Sequence, residues 1–347
     1  NTINIKGNEV SNISIPNNNG NSCTILSFSS TGNQIKNITN NTIKNITTGN
    51  AAFYGIQIGT SNGGGNVSYN VLENIHQTNN TGAVCNLMYL QGADLNVVAN
   101  RIGHLTNAND IEFENTVNDV LYVSSAGTTQ VDSNIIANVN LNNTGLVSTK
   151  VISFNSSTNS SKPITNNIIK NIKTKSTKSD AESNLAGTSL IGFYLNIQCI
   201  VNVSNNTIND LQSTATTPIS SGVIGIYLNT NASSTVANNT IYNLSNAATG
   251  TSPILIGFYL NGSSSIIKNN MISMNNTSGT NGVKLIGVRF GIGASRSVYH
   301  NSISVSGSNG NALNSYAFYK ENNGSNTDII KNNIFSNIRT GLGNHFA

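Results

Sequence analysis

Apolar positions recur along this chain at fixed offsets from one asparagine. That residue is Asn8, Asn41, Asn70, Asn100, Asn134, Asn167, Asn206, Asn239, Asn270, Asn301 and Asn333. Three residues before it the side chain is always Ile or Val, from Ile5 and Ile38 to Val298 and Ile330. Two residues after it stand Val10, Ile43, Leu72 and onward to Ile303 and Phe335. Five after it the position is mostly apolar, as at Ile13, Ile46, Leu105 and Ile338, and it fails at Asn275 and Ser306. The unit [IV]-x-N-N-x-I-x-N-[IL] thus repeats with a mean step of about 32 residues.

A second apolar block precedes each unit: TILSF, YGIQI, LMYL, VLYV, VISF, IGFYL, IGIYL, IGFYL, IGVRF and YAFYK. These runs are short, rich in β-branched residues and alternating, so they predict strands. Helices of this length would show period 3.6 and fewer Asn, Ser, Thr and Gly. The reading is an all-β solenoid, a parallel β-helix of about eleven coils, in which equivalent strands of successive coils stack into a rod about 50 Å long. The paired asparagines fall where the chain turns between strands. Asn tolerates left-handed backbone, and its amide can bond the same amide one coil away. The anchor column is therefore expected to form a buried amide ladder.

Composition sharpens this picture. Of 347 residues only 9% are charged, the net charge is +4 and tryptophan is absent, against about 25% charge in ordinary domains. Clustered Lys and Arg for phosphate binding are missing apart from the short run Lys170 to Lys178, so a nucleic-acid partner is not expected. A membrane span is not expected either, since no run of about 18 apolar residues occurs. Cys23, Cys85 and Cys199 lie far apart with no metal or redox spacing and read as small buried residues. The chain opens mid-pattern at NTINIKGNEVSNI and stops at GLGNHFA, so residues 1–347 are expected to be one β-helix domain within a longer chain that supplies flanking, capping domains.

The NNTIxNL-type units, such as VSNNTINDL and IIKNNIFSNI, resemble the parallel β-helix repeats of the pectate-lyase-like superfamily over essentially the whole chain. The later segments VYHNSISVSGSNG and KNNIFSNIRTGLGNHFA are similar to β-helix regions of large secreted surface proteins of Bacteroidota. The resemblance implies a right-handed β-helix and an extracellular or cell-surface location. It is nearly silent about activity.

Enzymes on this fold cluster acids on one sheet, and glycoside hydrolysis requires paired carboxylates. Here the acids are sparse. Asp110, Glu112 and Glu114 in NDIEFEN form the one acidic group, which if extended would face one side and offer a place for Ca²⁺ or an acid site. A solvated strand edge is the plainer reading. No other cofactor is suggested. His76, His104, His300 and His345 share no metal spacing, and His104 is expected to join the asparagine column four residues after the anchor. Lys44 and Glu73 share a column in adjacent coils and are expected to pair.

The sharper signal lies in the upstream strands. Their alignment puts Tyr89, Tyr122, Tyr194, Tyr227, Tyr259, Arg289 and Tyr319 in one column, completed by Ser27, Gln57 and Ser153. Alternation directs them away from the core as an exposed stripe, with Gly192, Gly225, Gly257 and Gly287 two residues earlier on the same face. Such a row serves either as a structural ladder or as a platform for glycan or a surface protein. Three functions follow: a non-enzymatic structural or adhesive shaft, a carbohydrate-active enzyme, or an ice-binding face. The last needs regular threonine columns, and Thr42, Thr207 and Thr240 share theirs with Glu9 and Arg101.

Overall fold

Each repeat contributes one strand to each of three parallel sheets, and the stacked repeats form a β-solenoid of about ten coils of about 32 residues. The computed structural model describes residues 2–15, 22–29, 32–49, 52–59, 63–79, 82–156, 158, 160–179, 184–197, 199–217, 219–262, 264–276, 282–310, 312–321 and 326–347. The first sheet runs from Thr2–Lys6 to Ile329–Lys331, the second from Glu9–Ile15 to Ile334–Asn337, and the third from Cys23–Phe28 to His345–Phe346. The residue three before each anchor belongs to the first sheet, the residue two after it to the second, and the upstream block is the third. Inward columns such as Ile38, Val67, Val97 and Val131, or Ile43, Leu72, Ile102 and Ile136, are at most 1% exposed.

The corner between the first two sheets is built by the paired asparagines. The residue just before the anchor is left-handed, with φ of 53° to 59° at Asn40, Tyr69, Ala99, Ser133, Asn166, Asn205, Asn238, Asn269, His300 and Asn332. Asn accepts this conformation readily, which explains its frequency there. The anchor is buried from Asn41 to Asn301, and Asn167 shows how it bonds. Its Nδ2 donates to Val131 O (2.9 Å) and Asn206 Oδ1 (3.0 Å), and its Oδ1 accepts from the backbone N and the Nδ2 of Asn134, both at 3.0 Å. The same amide-to-amide bond runs unbroken from Asn8 to Asn333. The predicted ladder is present at every anchor.

Exposed amide ladders also occur. Asn37, Asn66 and Asn96 each donate to the amide one coil earlier on the outer face of the first sheet. Four residues after the anchor, Asn45 and Asn74 do likewise at 3.0 and 2.7 Å, again from left-handed backbone.

The His104 ring does not join that column, although the His104 carbonyl accepts from Asn138 Nδ2 within it. The fourth coil carries an insertion between Arg101–Ile102 and Ile111–Phe113, so Ile111 rather than Leu105 occupies the core register with Ile75 and Val139. Leu105 is left 46% exposed, and the His104 ring caps its own turn by accepting from the N–H groups of Thr106 and Asn107.

Charge enters the interior where the third sheet returns to the first. Lys36, Lys162 and Arg296 are each at most 3% exposed there. Lys162 reaches Ser160 Oγ at 2.6 Å, and Arg296 reaches the carbonyl of Gly291 at 3.3 Å. The cysteines are buried thiols, as expected, with Cys85 pushed up to about 12 by burial.

Replacing Asn167 by Ala removes its side-chain bonds to Val131 O, Thr165 O and Asn206 Oδ1 and takes the acceptor from the buried backbone N–H of Asn134. Denaturant melts should show a loss of about 3 kcal/mol or more, whereas Asn66→Ala on the exposed ladder should change stability by less than about 0.5 kcal/mol.

Candidate functional site

The outer face of the third sheet carries the tyrosine column, and its register holds at each predicted position. Strand pairing aligns Ser27, Gln57, Tyr89, Tyr122, Ser153, Tyr194, Tyr227, Tyr259, Arg289 and Tyr319 in successive coils. The expected exposure does not hold. Tyr227, Arg289 and Tyr259 are only 7%, 8% and 9% exposed, and Tyr89, Tyr122, Tyr194 and Tyr319 are half-buried.

Two packing effects hide the column. First, the rings stack on one another along the rod axis. Tyr89 and Tyr122 have centroids 4.7 Å apart at 13°, Tyr194 and Tyr227 are 5.1 Å apart at 18°, and Tyr227 and Tyr259 are 5.2 Å apart at 32°. Ring faces therefore meet ring faces. Second, Ile191, Ile224, Ile256 and Ile286 form a neighbouring outward column that packs with the tyrosines and Leu185 into a second apolar cluster outside the barrel. Leu185 sits on the short 3-10 turn Leu185–Gly187, which Asn184 caps through Gly187 N.

The isoleucines reach that face because alternation fails at the glycines. Gly192, Gly225, Gly257 and Gly287 point inward, not outward as strict alternation predicts. A Cβ on Gly225 would lie 2.8 Å from core Ile241 Cδ1 and 2.7 Å from Gly257 O. The inter-strand register skips this column, so two consecutive residues face in and the outward positions fall three apart, as at Ile224 and Tyr227. Only glycine, in these coils, lets the opposing isoleucine approach the bent backbone so closely.

In earlier coils the isoleucine column is polar. Its members are Tyr54, Asn86, Asp119 and Lys150, three residues before Gln57, Tyr89, Tyr122 and Ser153. The tyrosine stack breaks at Ser153, and there Asp119 and Lys150 face a concavity of about 500 Å³, also lined by Thr116, Asn118, Asn143, Val147 and Ser148. Asp119 Oδ1 is buried without a hydrogen-bond partner, and Lys150 Nζ lies 5.1 Å from the centre of the Tyr194 ring. Burial raises the Asp119 carboxyl above its ordinary range, an effect the charge of Lys150 and the Ser153 hydroxyl only partly oppose. This pair escaped the sequence reading because it is visible only at an offset of three from the tyrosine column.

A second concavity of about 250 Å³ lies further along the face, lined by Asn184, Leu185, Ala186, Tyr227, Tyr259, Arg289 and Glu321. Arg289 Nε bonds Glu321 Oε1 at 2.7 Å, and its guanidinium lies between the rings of Tyr259 and Tyr319. Burial also raises the Tyr227 and Tyr259 phenols.

The acidic run does not converge on a site. Asp110 accepts the N–H groups of Asn74 and His104, both at 2.9 Å. Glu112 faces His76 at 3.4 Å, and Glu114 accepts from Asn142 at 2.8 Å. Among the described residues no group of three His, Cys, Asp or Glu side chains could hold a metal ion. Lys44 and Glu73 share a column as expected, but each pairs elsewhere: Lys44 with Glu9 at 3.1 Å, Glu73 with Arg101 at 2.8 Å. No helix among the described residues is long and apolar enough to cross a membrane.

Comparison with protein families, with curated proteins and with solved structures found no match to this chain. The functional reading therefore rests on the geometry of the third sheet.

A raised carboxyl opposes folding once it ionises. The native state holds the Asp119 proton more tightly than the unfolded chain does, so stability falls as pH rises through the unfolded value of about 3.9 toward the native one. Asp119→Asn should therefore raise Tm at pH 7. That gain should fade below about pH 4, as thermal melts across pH would show.

Proposed function

We propose that this solenoid is a non-enzymatic structural and adhesive module, working at a cell surface or outside the cell, that holds glycan or a partner protein against the outer face of its third sheet. One observation carries the reading: two concavities open on the face bearing the tyrosine column, both lined by polar side chains, one with Tyr227 and Tyr259 in its wall and the other with Lys150, whose Nζ lies over the Tyr194 ring. Sites of this kind combine apolar walls with a few placed donors and acceptors. The column itself acts mainly as scaffold, because its ring faces are occupied by one another. Rings and hydroxyls at its margins, together with Asn and Ser, would meet a ligand. The location, the kinship with pectate-lyase-like β-helices and the setting in a larger secreted protein of Bacteroidota type, with flanking domains, rest on the repeat resemblance alone.

A second reading, a carbohydrate-active enzyme, is favoured by one feature, the raised carboxyl of Asp119 in an open concavity. Hydrolysis by paired carboxylates needs a second acid about 5–9.5 Å away. Asp119 is the one carboxylate among the described residues lining that space. Turnover of pectin, alginate or related polymers, lost in Asp119→Ala, would establish the enzyme reading.

A glycan array probed with this protein should show binding that weakens at least about tenfold, equivalent to about 1.4 kcal/mol, in Tyr227→Ala or Tyr259→Ala. Binding that survives both changes, in variants that melt cooperatively, would remove the tyrosine face from the account.

A further inference from the structure

Asp119 and Lys150 are register partners in adjacent coils, so their backbones lie about 4.8 Å apart and their side chains emerge on the same face. Opposite charges so placed ordinarily close into an ion pair. Among the described residues these two form none. Lys150 instead lies over the ring of Tyr194, and Asp119 keeps one oxygen without a donor. Both side chains line one open concavity, and one buried carboxylate oxygen of Asp119 is unpartnered.

We propose that this concavity selects a neutral sugar by clasping two adjacent hydroxyls, one donating to Asp119 and its neighbour accepting from Lys150. The inference rests on the reading of this face as a glycan surface and narrows it to a class. A hydroxyl can both donate and accept, so one vicinal diol satisfies both side chains together. A uronate would bring a second negative charge against a half-buried carboxylate, and a cationic amino sugar would set its charge against Lys150. The rest of the described lining is uncharged: Asn118 presents an amide, the Ser148 hydroxyl donates to Thr188 O and keeps its acceptor side, and Val147 presents an apolar edge for the C–H face of a ring.

The clasp depends on the outward column that Asp119 and Lys150 occupy. In later coils the same outward position is Ile191, Ile224, Ile256 or Ile286, which the second apolar cluster covers completely. The charged pair thus marks the stretch of the face where the outer cluster gives way to an open, polar floor.

The test is calorimetric titration of the intact chain with a panel of neutral gluco-, galacto- and manno-oligosaccharides, an oligogalacturonate and a chitosan oligomer. A neutral member should bind, and Asp119→Asn and Lys150→Met should each weaken it at least tenfold, while Asn66→Ala leaves it unchanged. Thermal melts confirm that the variants fold. Neutral binding insensitive to both changes would overturn the clasp and leave the glycan face standing. Preference for the oligogalacturonate or the chitosan oligomer would overturn the neutral class. No binding by any member would overturn both the clasp and the glycan reading beneath it.

Discussion

The hydrogen bond from one anchor amide to the next is the constraint on which this architecture depends. Each interior anchor closes both donors and both acceptor positions of its side chain, one acceptor position being taken by the backbone N–H of its predecessor. A buried amide of this kind has little tolerance for displacement, because any shift leaves polar groups unmet in a dry corner. The spacing along the sequence is free by comparison. Consecutive anchors are separated by as few as 29 and as many as 39 residues, yet the bond is 2.9 to 3.0 Å in both cases. Extra residues are expelled into loops, as in the fourth coil, where the chain leaves the second sheet after Ile102 and rejoins it at Ile111.

Fixed register turns every outward position into a column, and the columns of the third sheet acquire their character from a corner rather than from simple alternation. The strand bends where two consecutive residues face inward, at Leu87, Val120 and Val151 in earlier coils and at Gly192, Gly225, Gly257 and Gly287 in later ones. In the later coils the bend brings isoleucines and tyrosines onto one outer lane that Leu185 covers as part of a second apolar layer. Where the column is polar instead, at Asp119 and Lys150, the lane opens. The residue type at this one position per coil therefore decides where the outer apolar cluster extends over the lane.

Much of this was legible in the chain. The anchor ladder is written residue by residue, because a column of amides bonded one to the next has to repeat the same side chain. The core columns at Ile38 and Ile43 are equally plain. The alignment of the tyrosines was also correct, from Tyr89 to Tyr319. Their burial was not legible, since it depends on ring stacking and on Leu185, which arrives from a variable loop. The glycine face was misread because period two does not survive a bend. Ion pairing was misread because Lys44 has neighbours on two sides and Glu9 lies within its reach. Asp119 stayed hidden for the same reason as the isoleucines: its column becomes visible only once the bend is known.

Hydrogen exchange of the anchor backbone amides tests the central claim most directly. The N–H groups of Asn70, Asn100, Asn134, Asn167, Asn206, Asn239 and Asn270 each donate to the side chain of the next anchor at 2.9 to 3.1 Å. If the ladder holds the solenoid together, these protons exchange only when the whole domain unfolds, with one protection factor shared along the column. Exchange of the anchor amides as fast as that of the loops, or anchor by anchor at unrelated rates, would contradict it.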